Sequence, residues 1–209
     1  MNERIANAYY LRIGLVGPAT GAESIQNAMH RATGRSVARG WSTQLSNEAL
    51  LNLFYTHQHR LGRWVAGDHG LGADVAVNAG AGLGTYYTGA NVGLQARLGL
   101  ALPENFERSF PLPLQEDVPN RIRPGGAFSL YLFAQATGLG VARYLPTDGN
   151  TWTSSRRGTR DDWYGMLNFG AALSYGRFSA TYRTVLVGSH LQQRTKDDNY
   201  SSLMFSYEF

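Results

Sequence analysis

NVGLQARLGL, residues 91–100, decides the fold. Val92, Leu94, Ala96, Leu98 and Leu100 fall on one face of an extended chain, and Asn91, Gly93, Gln95 and Arg97 on the other. A strict period of two is the signature of a β-strand. The segment just before it repeats the pattern, with Val75, Val77, Ala79 and Ala81 opposing Asp74, Asn78, Gly80 and Gly82. A single strand of this kind could sit in a soluble sheet. Amides, glycines and charges recurring opposite an apolar face point instead to a sheet with lipid outside and a polar interior.

Outward from this centre the alternation continues to both ends. Tyr9, Leu11, Ile13 and Leu15 oppose Tyr10, Arg12 and Gly14, and Leu51, Leu53 and Tyr55 oppose Asn52 and Thr56. A less regular strand is expected over residues 128–143. Leu167, Phe169, Ala171, Leu173 and Tyr175 then alternate with Asn168, Gly170 and Ser174 up to a tight turn at Gly176. Phe178, Ala180, Tyr182 and Leu186 follow, against Ser179, Thr181 and Arg183. The last strand sets Leu203, Phe205, Tyr207 and Phe209 against Ser202, Met204, Ser206 and Glu208. Four large apolar groups on one face would rarely be shown to water by a soluble edge strand. This reading gives eight strands in one all-β domain over residues 1–209, an antiparallel transmembrane β-barrel of the outer-membrane type. Arg12, Asp74, Arg97, Arg183 and Glu208 are expected to fill the interior as a hydrogen-bonded charge network.

Composition agrees. The 209 residues include 25 glycines and 12% aromatics, yet mean hydropathy is −0.28 and no apolar run approaches the ~20 residues of a transmembrane helix. There is no cysteine, which excludes disulfides and thiolate metal sites. Net charge is +4, and Lys196 is the one lysine among 19 basic residues. Arginine forks suit phosphate or carboxylate. The arginines are scattered through alternating strands and form no basic stripe, which argues against nucleic acid.

One segment has no role in a barrel wall. GPATGAESIQNAMHRATGR, residues 17–35, reads as a short amphipathic helix over about residues 21–33, with Thr20 and Glu23 as a capping box and Gly34 as a left-handed C-terminal cap. Ile25, Ala28, Met29 and Ala32 form its apolar stripe. Gln26 and His30, four apart, project together beside it. Counting strands back from a periplasmic C-terminus puts this helix outside, near the outer leaflet. The same count leaves the long connection at residues 102–126 periplasmic.

The ordered set LRIGLVGPATGAESIQNAMHRATG (11–34), GWSTQLSNEALLNLFYTHQHR (40–60), GANVGLQARLGLALPENF (89–106), YLFAQATGLGVARYLPTDGNTW (131–152) and YGRFSATYRTVLVG (175–188) resembles the lipid A 3′-O-deacylases of Gram-negative outer membranes. The resemblance implies a twelve-stranded barrel, of which eight strands are present here, with an active site between the wall and an external helix facing lipopolysaccharide. It implies ester hydrolysis that removes the 3′ acyloxyacyl group, with a calcium ion and a histidine general base. That family's helix carries a Gln and a His four apart, matching Gln26 and His30. Histidine titrates near neutral pH, as such a base requires. Gln26 could orient the water, the ester or a calcium-bound group. Gln44, Asn47 and Glu48 are possible neighbours of the site, whereas His57, His59, His69 and His190 have no comparable setting.

Family members also begin with a secretory signal, about four more strands and an Asn-Asp motif thought to contribute to calcium binding. None of these has a counterpart in the 209 residues. The chain is therefore expected to be the C-terminal two-thirds of such a protein, with the calcium ligands in the missing N-terminal part and no activity by itself. A monomer in the outer membrane is expected. The alternative is a non-enzymatic outer-membrane barrel, a small porin or surface protein, in which the helix merely packs a loop.

Overall fold

A computed structural model describes residues 4–67, 70–104, 128–188 and 199–207. Eight strands form one antiparallel sheet in sequence order: β1 (Ile5–Val16), β2 (Glu48–Val65), β3 (Leu71–Gly84), β4 (Tyr87–Leu100), β5 (Ser129–Tyr144), β6 (Trp163–Tyr175), β7 (Phe178–Val187) and β8 (Tyr200–Tyr207). Among the described residues β1 pairs with β2 alone and β8 with β7 alone, so the sheet is a half-barrel with two open edges. Glu208, Phe209, His69, His190, Lys196 and most of the long connection after β4 lie outside the described residues.

The faces are inverted relative to a soluble sheet, as the alternation requires. On the convex side Ile13 is 78% and Val92 64% exposed, whereas on the concave side Gln95 and Arg97 are 4% and 3% exposed. Every interior β4 residue can pair its backbone with β3 and β5, which is what lets such a sheet lie in lipid. Trp152 and Trp163 stand exposed at one end and Trp64, Tyr175 and Tyr207 at the other, the arrangement of two interfacial aromatic girdles.

The concave side is not uniformly polar. Phe54, Tyr87, Leu139, Val141, Met166, Val185 and Val187 make an apolar cluster toward the end where β1 leads into the helix. Toward the opposite end, Asp74 gathers three arginines. Arg97 donates from Nε and Nη2 to the two carboxylate oxygens at 2.9 and 2.6 Å, and Arg60 and Arg63 each approach Oδ2 at 3.5 Å. A bulge makes this possible. Arg60 pairs with Ala76 and Gly62 with Val75, leaving Leu61 as the extra residue, so Arg60 and Arg63 both face inward.

Of the expected interior network, Asp74 and Arg97 take part as anticipated. Arg12 faces the same side, with its guanidinium 5.6 Å over the buried Phe54 ring, but it is exposed. An edge strand has no neighbour on its far side, so β1 cannot be enclosed as β3 and β4 are.

The strand expected at residues 128–143 runs Ser129–Tyr144. Its irregularity is a second bulge. Thr88 pairs with Arg143 and Gly89 with Val141, which leaves Ala142 over.

Candidate active site at the helix rim

Helix α1 spans Ala22–Ala32. β1 is followed by Gly17, whose φ of +103° admits glycine and whose missing side chain lets the chain pass Ser46 and Asn47; a Cβ there would lie 2.6 Å from the Asn47 nitrogen. The C-terminal cap is the expected one. Gly34 has φ +67°, its N–H donates to Arg31 O, and the Arg35 N–H donates to His30 O at 2.7 Å, the paired bonds of a Schellman motif.

The expected capping box does not form. Pro18–Thr20 is a 3-10 turn, and the Thr20 hydroxyl folds back to donate to Gly17 O at 2.8 Å. The N-cap is instead Gly21, with φ +67° and no side-chain cap bond. Proline started a helical turn three residues earlier than a Thr20 cap allows.

The helix docks on its own return segment. The Ala38 N–H donates to Asn27 Oδ1 at 3.0 Å, and His30 Nδ1 lies 2.6 Å from Ser36 O. A carbonyl oxygen can only accept, so Nδ1 carries the proton in the neutral ring and Nε2 keeps its lone pair. The Gln26 side chain is exposed and makes no hydrogen bond to the described residues. The apolar stripe turns away from the return segment: Ile25 is 62% and Met29 63% exposed, and α1 buries no residue.

The three possible neighbours have other occupations. Asn47 Oδ1 accepts from the Ala19 N–H at 2.7 Å, tying the start of β2 to the turn that leads into α1. The Gln44 backbone ends a short 3-10 turn at Gly40–Thr43. Glu48 is buried and turned inward, where its Oε2 accepts from Asn150 Nδ2 at 3.0 Å and from the Thr151 N–H at 2.7 Å. None of the three hydrogen-bonds Gln26 or His30. His57 instead contacts Asn7 Oδ1 through Nδ1 at 2.9 Å.

Asn150 was not legible in the sequence. It is buried, accepts from the Ser46 N–H at 2.9 Å and donates to Ser46 O at 2.9 Å, so one side chain clamps the β5–β6 connection to the segment that leads into β2. The only local signal was a PTDGN turn, which places a bend but names no partner about a hundred residues away.

Among the described residues no group of three or more His, Asp or Glu side chains could hold a metal. Calcium takes six to eight oxygens, mostly carboxylate and carbonyl. The described residues therefore do not fit the calcium ion that the resemblance implies.

A lipid-facing antiparallel sheet that buries amides and charges on its concave side, bearing at one rim a helix that offers an open imidazole nitrogen, defines a protein of the outer-membrane barrel class. The chain belongs to the family described as outer membrane protein LpxR, which matches residues 1–209, and this is the lipid A deacylase family that its motifs resemble. In structure it is similar to LpxR from Salmonella typhimurium, with a TM-score of 0.81 and 18% identity, over 98% of this chain and 68% of that one. No curated protein matches the chain.

Proposed function

We propose that the helix rim hydrolyses the ester that carries the 3′ acyloxyacyl group of lipid A, with the rim facing the outer leaflet and His30 as general base. The observation that supports this most directly is the bond between His30 Nδ1 and Ser36 O, which fixes the tautomer and leaves Nε2 open. In the reaction Nε2 takes a proton from a water as its oxygen attacks the ester carbonyl carbon, giving a tetrahedral oxyanion. Collapse breaks the bond between that carbon and the sugar oxygen, the acyloxyacyl group leaves as a carboxylic acid, and His30 returns the proton to the sugar oxygen. Gln26, one turn earlier, supplies an amide that can accept from the water or donate to the oxyanion.

A helix that merely packed a loop would bury its apolar stripe. Here Ile25 and Met29 remain exposed at a rim suited to acyl chains. The family's calcium ion would supply positive charge at the oxyanion, but no cage for it exists among the described residues, so the chain's own contribution rests on His30 and Gln26.

The test follows 3′ acyl release from lipid A by mass spectrometry. These 209 residues alone are expected to leave lipid A intact. Supplying a family member's strands that bear the Asn-Asp motif, with calcium, restores release, and His30→Ala lowers that release by roughly 10²–10⁴-fold while heat-modifiable gel mobility stays unchanged. Gln26→Ala costs less. Release that persists in His30→Ala rejects the base assignment.

A further inference from the structure

The rim that carries α1 also holds a cation with no counter-ion among the described residues. Arg143 is half-buried at the end of β5, beside the Ala142 bulge. Its Nε donates to Thr85 O at 3.0 Å, and its Nη2 donates to Gly149 O and Thr151 Oγ1, both at 2.8 Å. All three acceptors are neutral. Among the described residues no carboxylate pairs with Arg143, and Nη1 makes no hydrogen bond.

Arg160 nearby shows what a structural arginine looks like. It donates from Nε and Nη2 to Asp148, and from Nη1 to Val141 O and to Asp162, both at 2.7 Å. Asp148 is equally occupied, because it also accepts from the Tyr144 N–H at 2.7 Å.

Between these groups lies a cavity of about 350 Å³ lined by Ala142, Arg143, Asp148, Arg157, Gly158 and Arg160. Arg157 is exposed and has no ion pair among the described residues. Arg160 pairs with Asp148 in the wall and with Asp162 outside it, and among the described residues neither Arg143 nor Arg157, the other two cations on the cavity, has an ion pair.

Holding a guanidinium partly out of water without a counter-ion is unfavourable, and the cost is removed when an anion arrives. Arg143 is also fixed in place through two of its three nitrogens, so little freedom remains to be lost on binding. Two guanidiniums match the charge of a phosphoryl group, close to −2 at neutral pH, better than a single carboxylate. The geometry points to a phosphoryl-binding site in this cavity, formed by Arg143 and Arg157, that holds a phosphate of a phosphorylated glycolipid. The glycolipid assignment rests on the lipid A reading above; the phosphoryl assignment rests on the cavity alone.

The experiment is a binding measurement, with the full chain in detergent micelles titrated with bisphosphorylated lipid A, with the same lipid stripped of phosphate, and with inorganic phosphate. The phosphorylated lipid is expected to bind at least about tenfold more tightly than the stripped lipid. Arg157→Gln and Arg143→Gln abolish that preference, while His30→Ala keeps it. Because Arg143 also ties down Thr85, Gly149 and Thr151, its substitution can disturb the fold, and the exposed Arg157 is the decisive variant.

Equal binding of the two lipids, with no binding of inorganic phosphate, overturns the site. So does a phosphate preference that survives Arg157→Gln. Inorganic phosphate binding as well as the phosphorylated lipid supports the cavity and assigns it to the free anion. A phosphate preference lost in Arg157→Gln, in a protein that never releases acyl chains even with the added strands, leaves the phosphoryl site standing and removes the esterase reading.

Discussion

The two ends of the sheet differ in how fully their arginines are paired: Arg160 at the helix end meets carboxylates, but Arg143 and Arg157 beside it do not among the described residues. At the end away from the helix, Arg60, Arg63 and Arg97 converge on Asp74, and each also donates to a carbonyl of Leu102, Pro103 or Glu104. Charge there is spent on closing the end of the interior and anchoring the connection after β4. At the helix end, Arg143 bonds only neutral acceptors, Arg157 is unpaired among the described residues, and Gln26 and the Nε2 of His30 are open. At one end the arginines meet a carboxylate of their own chain, and at the other Arg143 and Arg157 meet none among the described residues. A buried arginine is a strut where it meets a carboxylate and a receptor where it does not.

The largest expected way to break this comparison is at the satisfied end. Asp74→Asn leaves three arginines facing each other without their carboxylate, at a cost of about 3–5 kcal/mol. A urea titration of the folded protein in micelles should show the lowered midpoint, while phosphoryl binding at the other end is unchanged.

A smaller effect is expected from Asn150→Ala. It removes the bonds to Ser46 and Glu48 and leaves a buried carboxylate short of a donor, for about 1–3 kcal/mol. Since Asn47, next to those residues, holds Ala19 just ahead of α1, amide exchange in the first turn of α1 should speed up as well. Exchange confined to the β5–β6 connection would show that the two are uncoupled.

The smallest is Gly34→Ala. Forcing a Cβ into the left-handed cap costs about 1 kcal/mol, or roughly fivefold faster exchange over the last turn of the helix. No change there would mean that the His30 and Ser36 contact does not depend on the cap.

The sheet was legible because alternation is a local property, repeated in every strand from Tyr9 to Tyr207, and lipid outside leaves little freedom in which set faces in. The helix ends were read to within a residue of their observed positions, and Gly34 was read correctly because a left-handed cap needs glycine. Thr20 was misread because a capping box and a proline-initiated 3-10 turn share the same letters. Alternation put Arg12 on the inner face, over Phe54, but does not say whether an edge strand is covered. Asn150 and Arg143 could not be found at all. Their roles depend on partners that register brings from elsewhere in the chain, Ser46 and Glu48 for one and Thr85 for the other, and no periodicity carries that information.

The open edges have an arithmetical consequence. With eight strands alternating in direction, β1 and β8 run opposite ways, so they could meet each other directly as antiparallel neighbours. Any insert that closes the ring while keeping every seam antiparallel must therefore contribute an even count of strands. An odd count would force one parallel seam into a wall that otherwise has none, which makes the direction of a single added strand a yes-or-no check on any scheme for completing the barrel.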